Sequence, residues 1–173
     1  DWYGSEDGLD LSALDADCAA LQRVVAATEQ ALVRQDDQLV AMSGASSGQG
    51  ADASREFLRR HGEAAAGAAA AVRTAAEALA TLRDRLWRAV DDKVAAAVAV
   101  EDRVVQRAEW LAAAQTVMTG AGDRAAASEL VDQQVKPFVD NDIRADWLSA
   151  MRGALAAIAD AYEAATAELN AEP

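Results

Sequence analysis

Few residues in this chain have the types and spacing for chemistry, and each has a simpler use. His61 is the sole histidine of the 173 residues, so no multi-histidine metal site can be built. A Ser–His–Asp relay would also depend on this one ring. It follows Arg59 and Arg60 and precedes Gly62, the setting of a solvated or interfacial histidine. Cys18 is the single cysteine, which excludes an intramolecular disulfide. No histidine shares its helix to activate it, so a buried, inert thiol is expected. Asp140, Asn141, Asp142 and Asp146 have the look of a calcium loop. The fifth and sixth places of that pattern, however, hold Arg144 and Ala145 rather than an oxygen ligand and glycine. Helix capping is the better reading. The segment SGASSGQG at 43–50 is glycine-rich but lacks the lysine and preceding strand of a phosphate-binding loop. Trp87, Trp110 and Trp147 could line a ligand tunnel, although packing at helix crossings is the commoner use of large aromatics. No catalytic, cofactor-binding or metal-ligating residue is assigned, and an enzyme is not expected.

Composition points to the elements that carry these residues. Hydrophobic residues make up 52% of the chain but aromatics only 5%, and alanine supplies much of the apolar share. Alanine is the strongest helix former, there are two prolines, and the valines are scattered rather than alternating. An all-α fold follows. A net charge of −13 disfavours phosphate backbones and anionic membrane surfaces. The basic cluster of Arg83, Arg85 and Arg88 sits beside Asp84, Asp91 and Asp92 and reads as a solvated helix face. No apolar stretch reaches the ~20 residues that span a bilayer. A charged start followed by an apolar run is also missing, so no secretory signal peptide is expected.

The spacing predicts one helix from about Ser12, capped through Asp15, with a seam at Leu14, Cys18, Leu21, Val25, Thr28, Leu32, Gln35, Leu39 and Met42. Its steps alternate four and three, the signature of an a/d stripe. Gly44, Gly48 and Gly50 are expected to form a turn spanning Ser43–Gly50. A second helix, capped near Asp52, should carry Phe57, Ala64, Ala68, Val72, Ala75, Leu79, Leu82, Leu86, Val90 and Val94 on its covered stripe. It is expected to run unbroken past Trp110, with a bend near Asp91 and Asp92. Thr119–Gly122 then ends it, and Asp123 caps a short helix through about Val135. Lys136, which precedes Pro137, should leave helical space. Asp140–Asn141–Asp142 should turn the chain into a final helix carrying Trp147, Met151, Leu155, Ile158 and Tyr162. The result is an elongated antiparallel bundle on a long central helix with hairpins at both ends. It divides into a flexible arm (1–11), a hairpin (12–92) and a continuation of the long helix with C-terminal helices (93–173).

Residues 12–92 resemble the Trp-x-Gly family of type VII (ESX) secretion substrates, which are alanine-rich, acidic helical hairpins. The turn at Ser43–Gly50, the following Ala51–Asp52–Ala53 and the early aromatic Phe57 carry the resemblance. Met42–Ser43–Gly44 and Ser46–Ser47–Gly48 keep the motif's glycine without its tryptophan. The family's C-terminal export signal, Tyr-x-x-x-Asp/Glu, is matched only in part by Tyr162, with Thr166 four residues on and Glu168 two later. The resemblance implies a non-enzymatic, actinobacterial, secretion-associated protein that acts through a helix face on a protein partner or on itself. It implies a location outside the cell or in its envelope. The rivals are a cytoplasmic coiled-coil scaffold or chaperone, and a bundle holding a lipid or other apolar ligand beside Trp110, Met118, Trp147 and Met151.

Overall fold

The computed structural model describes residues 4, 7–45 and 47–171; Trp2 and Tyr3, which could either dock on the body or stay exposed, lie outside them. Among the described residues every regular element is helical and no strand occurs. The helices are α1 (Leu11–Ala45), α2 (Gln49–Glu101), α3 (Arg107–Thr119), α4 (Arg124–Leu130), α5 (Lys136–Phe138) and α6 (Leu148–Asn170). Two π-helical segments, π1 (Val131–Val135) and π2 (Val139–Trp147), join α4, α5 and α6 without a break. The chain forms two compact units. One comprises Asp1–Leu9 with Leu86–Ala159, and the other Asp10–Arg85 with Asp160–Pro173. The division falls within α2 and within α6.

The hairpin unit is built from α1, the first half of α2 and the last part of α6. Asp10, rather than Ser12, caps α1: its carboxylate accepts the Ala13 N–H at 2.8 Å, the N-cap to N3 bond that satisfies an orphan donor. α1 and α2 run antiparallel. Asp15 lies 3.5 Å from Arg83, Glu29 lies 2.7 Å from Arg73, and Gln35 Nε2 donates to the Leu58 carbonyl at 3.2 Å. The turn is far tighter than the expected Ser43–Gly50. Gly44 and Gly50 are helical, and of the three glycines only Gly48, at φ +103°, takes a left-handed conformation. Asp52 sits inside the first turn of α2, where its charge favours the helix N-terminus, but it is not the cap. The core here is small-sided: Cys18, Ala69, Ala76, Ala78, Leu82, Ala161 and Ala165 are buried.

The second unit holds the end of α2, then α3, α4, π1, α5, π2 and the start of α6. α2 stops at Glu101 instead of running past Trp110, and Asp91 and Asp92 lie within unbroken helix. The stop is made locally. Arg103 N–H bonds back only three residues, to Val100, and its guanidinium Nε donates to the Ala99 carbonyl at 3.1 Å, satisfying one of the helix's orphan acceptors. Gly120 at φ +72° ends α3, its N–H on the Thr116 carbonyl. Asp123 then caps α4 by accepting the Ala125 and Ala126 N–H groups, both as the sequence predicts. The C-terminal hairpin turn at Asp140–Asn141–Asp142 does not form. Those residues are helical within π2, and Lys136 keeps helical angles of −61° and −49°. A proline ring in an α-helix clashes with the carbonyl four residues back. The i→i+5 register of π1, seen in the Lys136 N–H bond to the Val131 carbonyl, widens the helix just before Pro137 and relieves that clash. The core contains the two largest fully buried side chains, Leu86 and Met151.

Candidate functional site

Two surfaces stand out, one in each unit. The first is the α1–α2 seam toward the hairpin turn. All nine predicted α1 seam positions, from Leu14 to Met42, are at least partly covered, and from residue 22 to 44 every other α1 position is exposed. On α2 a covered stripe passes through Ala51, Arg55, Leu58, Gly62, Ala65, Ala69, Val72, Ala76 and Leu79, again in alternating steps of four and three, and it is widened by Ala70, Ala78 and the predicted Ala75. This corrects the predicted stripe. Phe57 is 62% exposed and Val94 45%, while Ala64 and Ala68 face outward; Val72, Leu79, Leu82 and Leu86 are placed as expected. The predicted phase holds from Val72 to Val90, but through the alanine run it has no hydrophobic contrast to follow, and the lone aromatic does not mark the covered face.

The seam is shallow. From residue 19 to 68 no described side chain is buried. Leu32, Leu39 and Met42 on α1 stay part-exposed, as do Arg55, Leu58, Gly62 and Ala65 on the facing stripe of α2, so the helices meet without covering one another. Gly62 permits the closest approach: a Cβ there would stand 3.0 Å from Gln35 Nε2, the atom that reaches the Leu58 carbonyl. A groove of about 310 Å³ lies along this seam, lined by Thr28, Leu32, Gln35, His61, Ala65 and Val72 among others. His61 stacks on the exposed Phe57, with ring centroids 6.2 Å apart and planes 6° from parallel. Nearby arginines are spent on local carboxylates. Arg59 pairs with Glu56 and Glu63, and Arg55 with Asp52. Arg59's hydrogen bond holds the Glu56 carboxyl below its ordinary range. Cys18 is buried, and that burial pushes its thiol above its ordinary value against the opposing pull of Arg83, as expected for an inert cysteine.

The second surface is a groove of about 320 Å³ between the α2–α3 corner and the π-helical wall. Trp110 is its fixed point. Its indole N–H donates to Gln134 Oε1 at 3.0 Å, and its ring meets Phe138 at 5.1 Å and 54°, a tilted pair that holds both rings in place. Val100, Val104, Leu111, Ala114, Val135, Val139 and Ile143 complete the apolar lining, with Glu101 and Arg107 also on its border. Arg103 braces the wall from outside, pairing with Asp142 and, at 3.2 Å, with Asp146. The i→i+5 register brings residues four and five apart onto one face, so Gln134, Val135, Phe138, Val139 and Ile143 converge. In the sequence Leu130, Val135, Val139, Ile143 and Trp147 recur in steps of five, four, four and four, which apart from the first are ordinary α-helical intervals.

The alternative of a ligand tunnel lined by the tryptophans finds little support among the described residues. Met118 is 86% exposed, Met151 is fully buried, and Trp87 is 39% exposed; of the expected ligand residues only Trp110 lines the groove. Tyr162 is partly exposed on α6, Thr166 turns its hydroxyl back onto the Tyr162 carbonyl at 2.8 Å, and Glu168 is exposed. Among the described residues no group of three His, Cys, Asp or Glu could hold a metal ion, and no helix is long and apolar enough to cross a membrane. No buried side-chain polar atom among them lacks a hydrogen-bond partner, buried Lys93 included. No protein-family model matches this chain, and neither curated proteins nor solved structures provide a match.

Proposed function

We propose that this chain is a non-enzymatic interaction protein that works by completing its half-covered hairpin seam against a partner helix or a second copy of itself. The observation that carries this reading is the run from residue 19 to 68, which keeps an apolar a/d stripe yet buries none of its described side chains. A helix with an apolar stripe gains stability only when that stripe is covered. Here Val25, Leu32, Leu39 and Met42 remain part-exposed against the small surface of α2. A third helix laid along the seam would cover them, as in an antiparallel bundle. The acidic, alanine-rich hairpin, with its left-handed Gly48 in a short turn, supports an association with type VII (ESX) secretion, where hairpins of this kind act as partners.

Size-exclusion chromatography with light scattering tests the seam, first on the chain alone and then with candidate partners. Association that is lost in Leu32→Asp with helix content retained is the expected result. A strict monomer that takes up no partner, with Leu32→Asp behaving as wild type, would overturn the reading. Comparing culture filtrates of wild-type and secretion-deficient strains tests the second half. Confinement to the cytoplasm in both would remove the secretion assignment.

A further inference from the structure

We infer that the groove beside Trp110 is a binding site for a free single-chain fatty acid of medium length, its tail against the π-helical wall and its carboxylate on Arg107. This goes beyond the seam reading and does not depend on it. The groove joins an almost wholly apolar lining to a solvated ion pair at its border, Arg107 with Glu101, and the guanidinium of that pair supplies the polar end of an amphiphile site. Its length class follows from volume. A methylene takes about the liquid volume of a water, roughly 30 Å³, so about 320 Å³ holds a tail of about ten carbons. The aromatic floor is preorganised, because the polar edge of Trp110 is already bonded to Gln134 and its ring is held against Phe138. Binding therefore orders little that is not already ordered.

The charge on Arg107 selects the head group. Its Nη1 contacts Glu101 at 3.3 Å, and the two side chains are 66% and 70% exposed. A solvated pair of this kind contributes little. A guanidinium has five N–H donors in a planar fork that matches a carboxylate, and the exposed side of Arg107 can receive one without breaking any buried contact. Arg103, the other cation close by, is already held by Asp142 and Asp146 and shapes the wall.

The test is titration of the full chain with decanoate below its micellar concentration, followed by calorimetry and tryptophan emission. The comparison ligands are 1-decanol and anionic phosphatidylglycerol vesicles. One site per chain is expected, with an emission change that disappears in Trp110→Phe while the calorimetric binding remains. Arg107→Gln should weaken decanoate by about tenfold, the scale of one charge-assisted contact, and leave 1-decanol nearly unchanged. Val139→Trp should abolish binding of both; if that variant does not fold, Ala114→Leu fills the same groove more gently and should weaken both. No heat or emission change with decanoate overturns the site, as does binding that survives groove filling. Equal loss of decanoate and decanol in Arg107→Gln overturns the head-group assignment. Binding to vesicles alone overturns the choice of a free fatty acid. Loss of this binding leaves the seam's association behaviour untouched, so the two readings fail separately.

Discussion

The two units solve helix packing in opposite ways. The hairpin unit is built by repetition: one heptad phase continues along α1, another along α2, and small residues let the helices approach closely. The other unit is built by interruption: a helix stop at Asp102, a left-handed glycine, and two stretches of π-helix around a proline. Its core contains the large buried side chains Leu86 and Met151, while the hairpin's tip has no buried side chain among its described residues. Repetition leaves a long stripe waiting for a further helix. Interruption makes corners, and corners make a groove.

The largest effect should separate the two cores directly. Met151→Ala removes a fully buried side chain and is expected to cost about 2–5 kcal/mol. Leu32→Ala, at a part-exposed seam position, should cost about 1 kcal/mol, in line with its incomplete burial. Denaturant melts of both variants check this, and equal losses would break the contrast.

Next come the caps, one in each unit. Asp10→Ala and Asp123→Ala each remove a carboxylate that accepts backbone N–H groups, and each should cost about 1 kcal/mol. Amide exchange should rise at the start of α1 in the first case and of α4 in the second. Arg103→Met loses the carbonyl cap on α2 and both carboxylate contacts on π2. With these groups partly solvated, the expected cost is about 1 kcal/mol or less. Measured in high salt the difference from wild type should shrink, with faster amide exchange across 139–147.

Smaller effects belong to the hairpin. Gly62→Ala gains about 1 kcal/mol of helix propensity but pushes Gln35 off the Leu58 carbonyl. The net change in melting should be close to zero, and a large loss would mean the approach of α1 to α2 is tighter than that one flexible contact. For Cys18, burial raises the folded thiol's pKa, so above the ordinary value of 9.0 the unfolded chain loses its proton first. The thiol's contribution to stability is therefore complete below that value and declines as pH rises through it. Slow alkylation at neutral pH, becoming rapid in denaturant, checks the same burial.

Much of the hairpin was legible because its information is periodic. Apolar spacing alone located all nine α1 seam positions, and the step pattern from Val72 to Leu86 set the phase of α2. The error at Phe57 arose where alanine repeats on every face and the pattern loses contrast. Continuing the alternation back from Val72 would have selected Leu58 and Gly62. In the other unit, Gly120 and Asp123 were readable as local punctuation. Pro137 and the Asp140–Asn141–Asp142 run were misread because their usual meaning assumes an α-helical register. The apolar steps across 130–147 are mostly of four, which an α-helix also uses, so they do not by themselves mark the π-helical register.

The amino-acid order by itself determined the helical class, the hairpin and the side of α1 that is covered, because backbone propensity and heptad spacing are local properties. Tertiary structure alone decided how deeply the seam is covered and that Trp110, Phe138 and Arg107 share a groove. Those outcomes depend on which surfaces meet across distant parts of the chain. A guanidinium at 103 finding carboxylates at 142 and 146 is not written in any short window of residues.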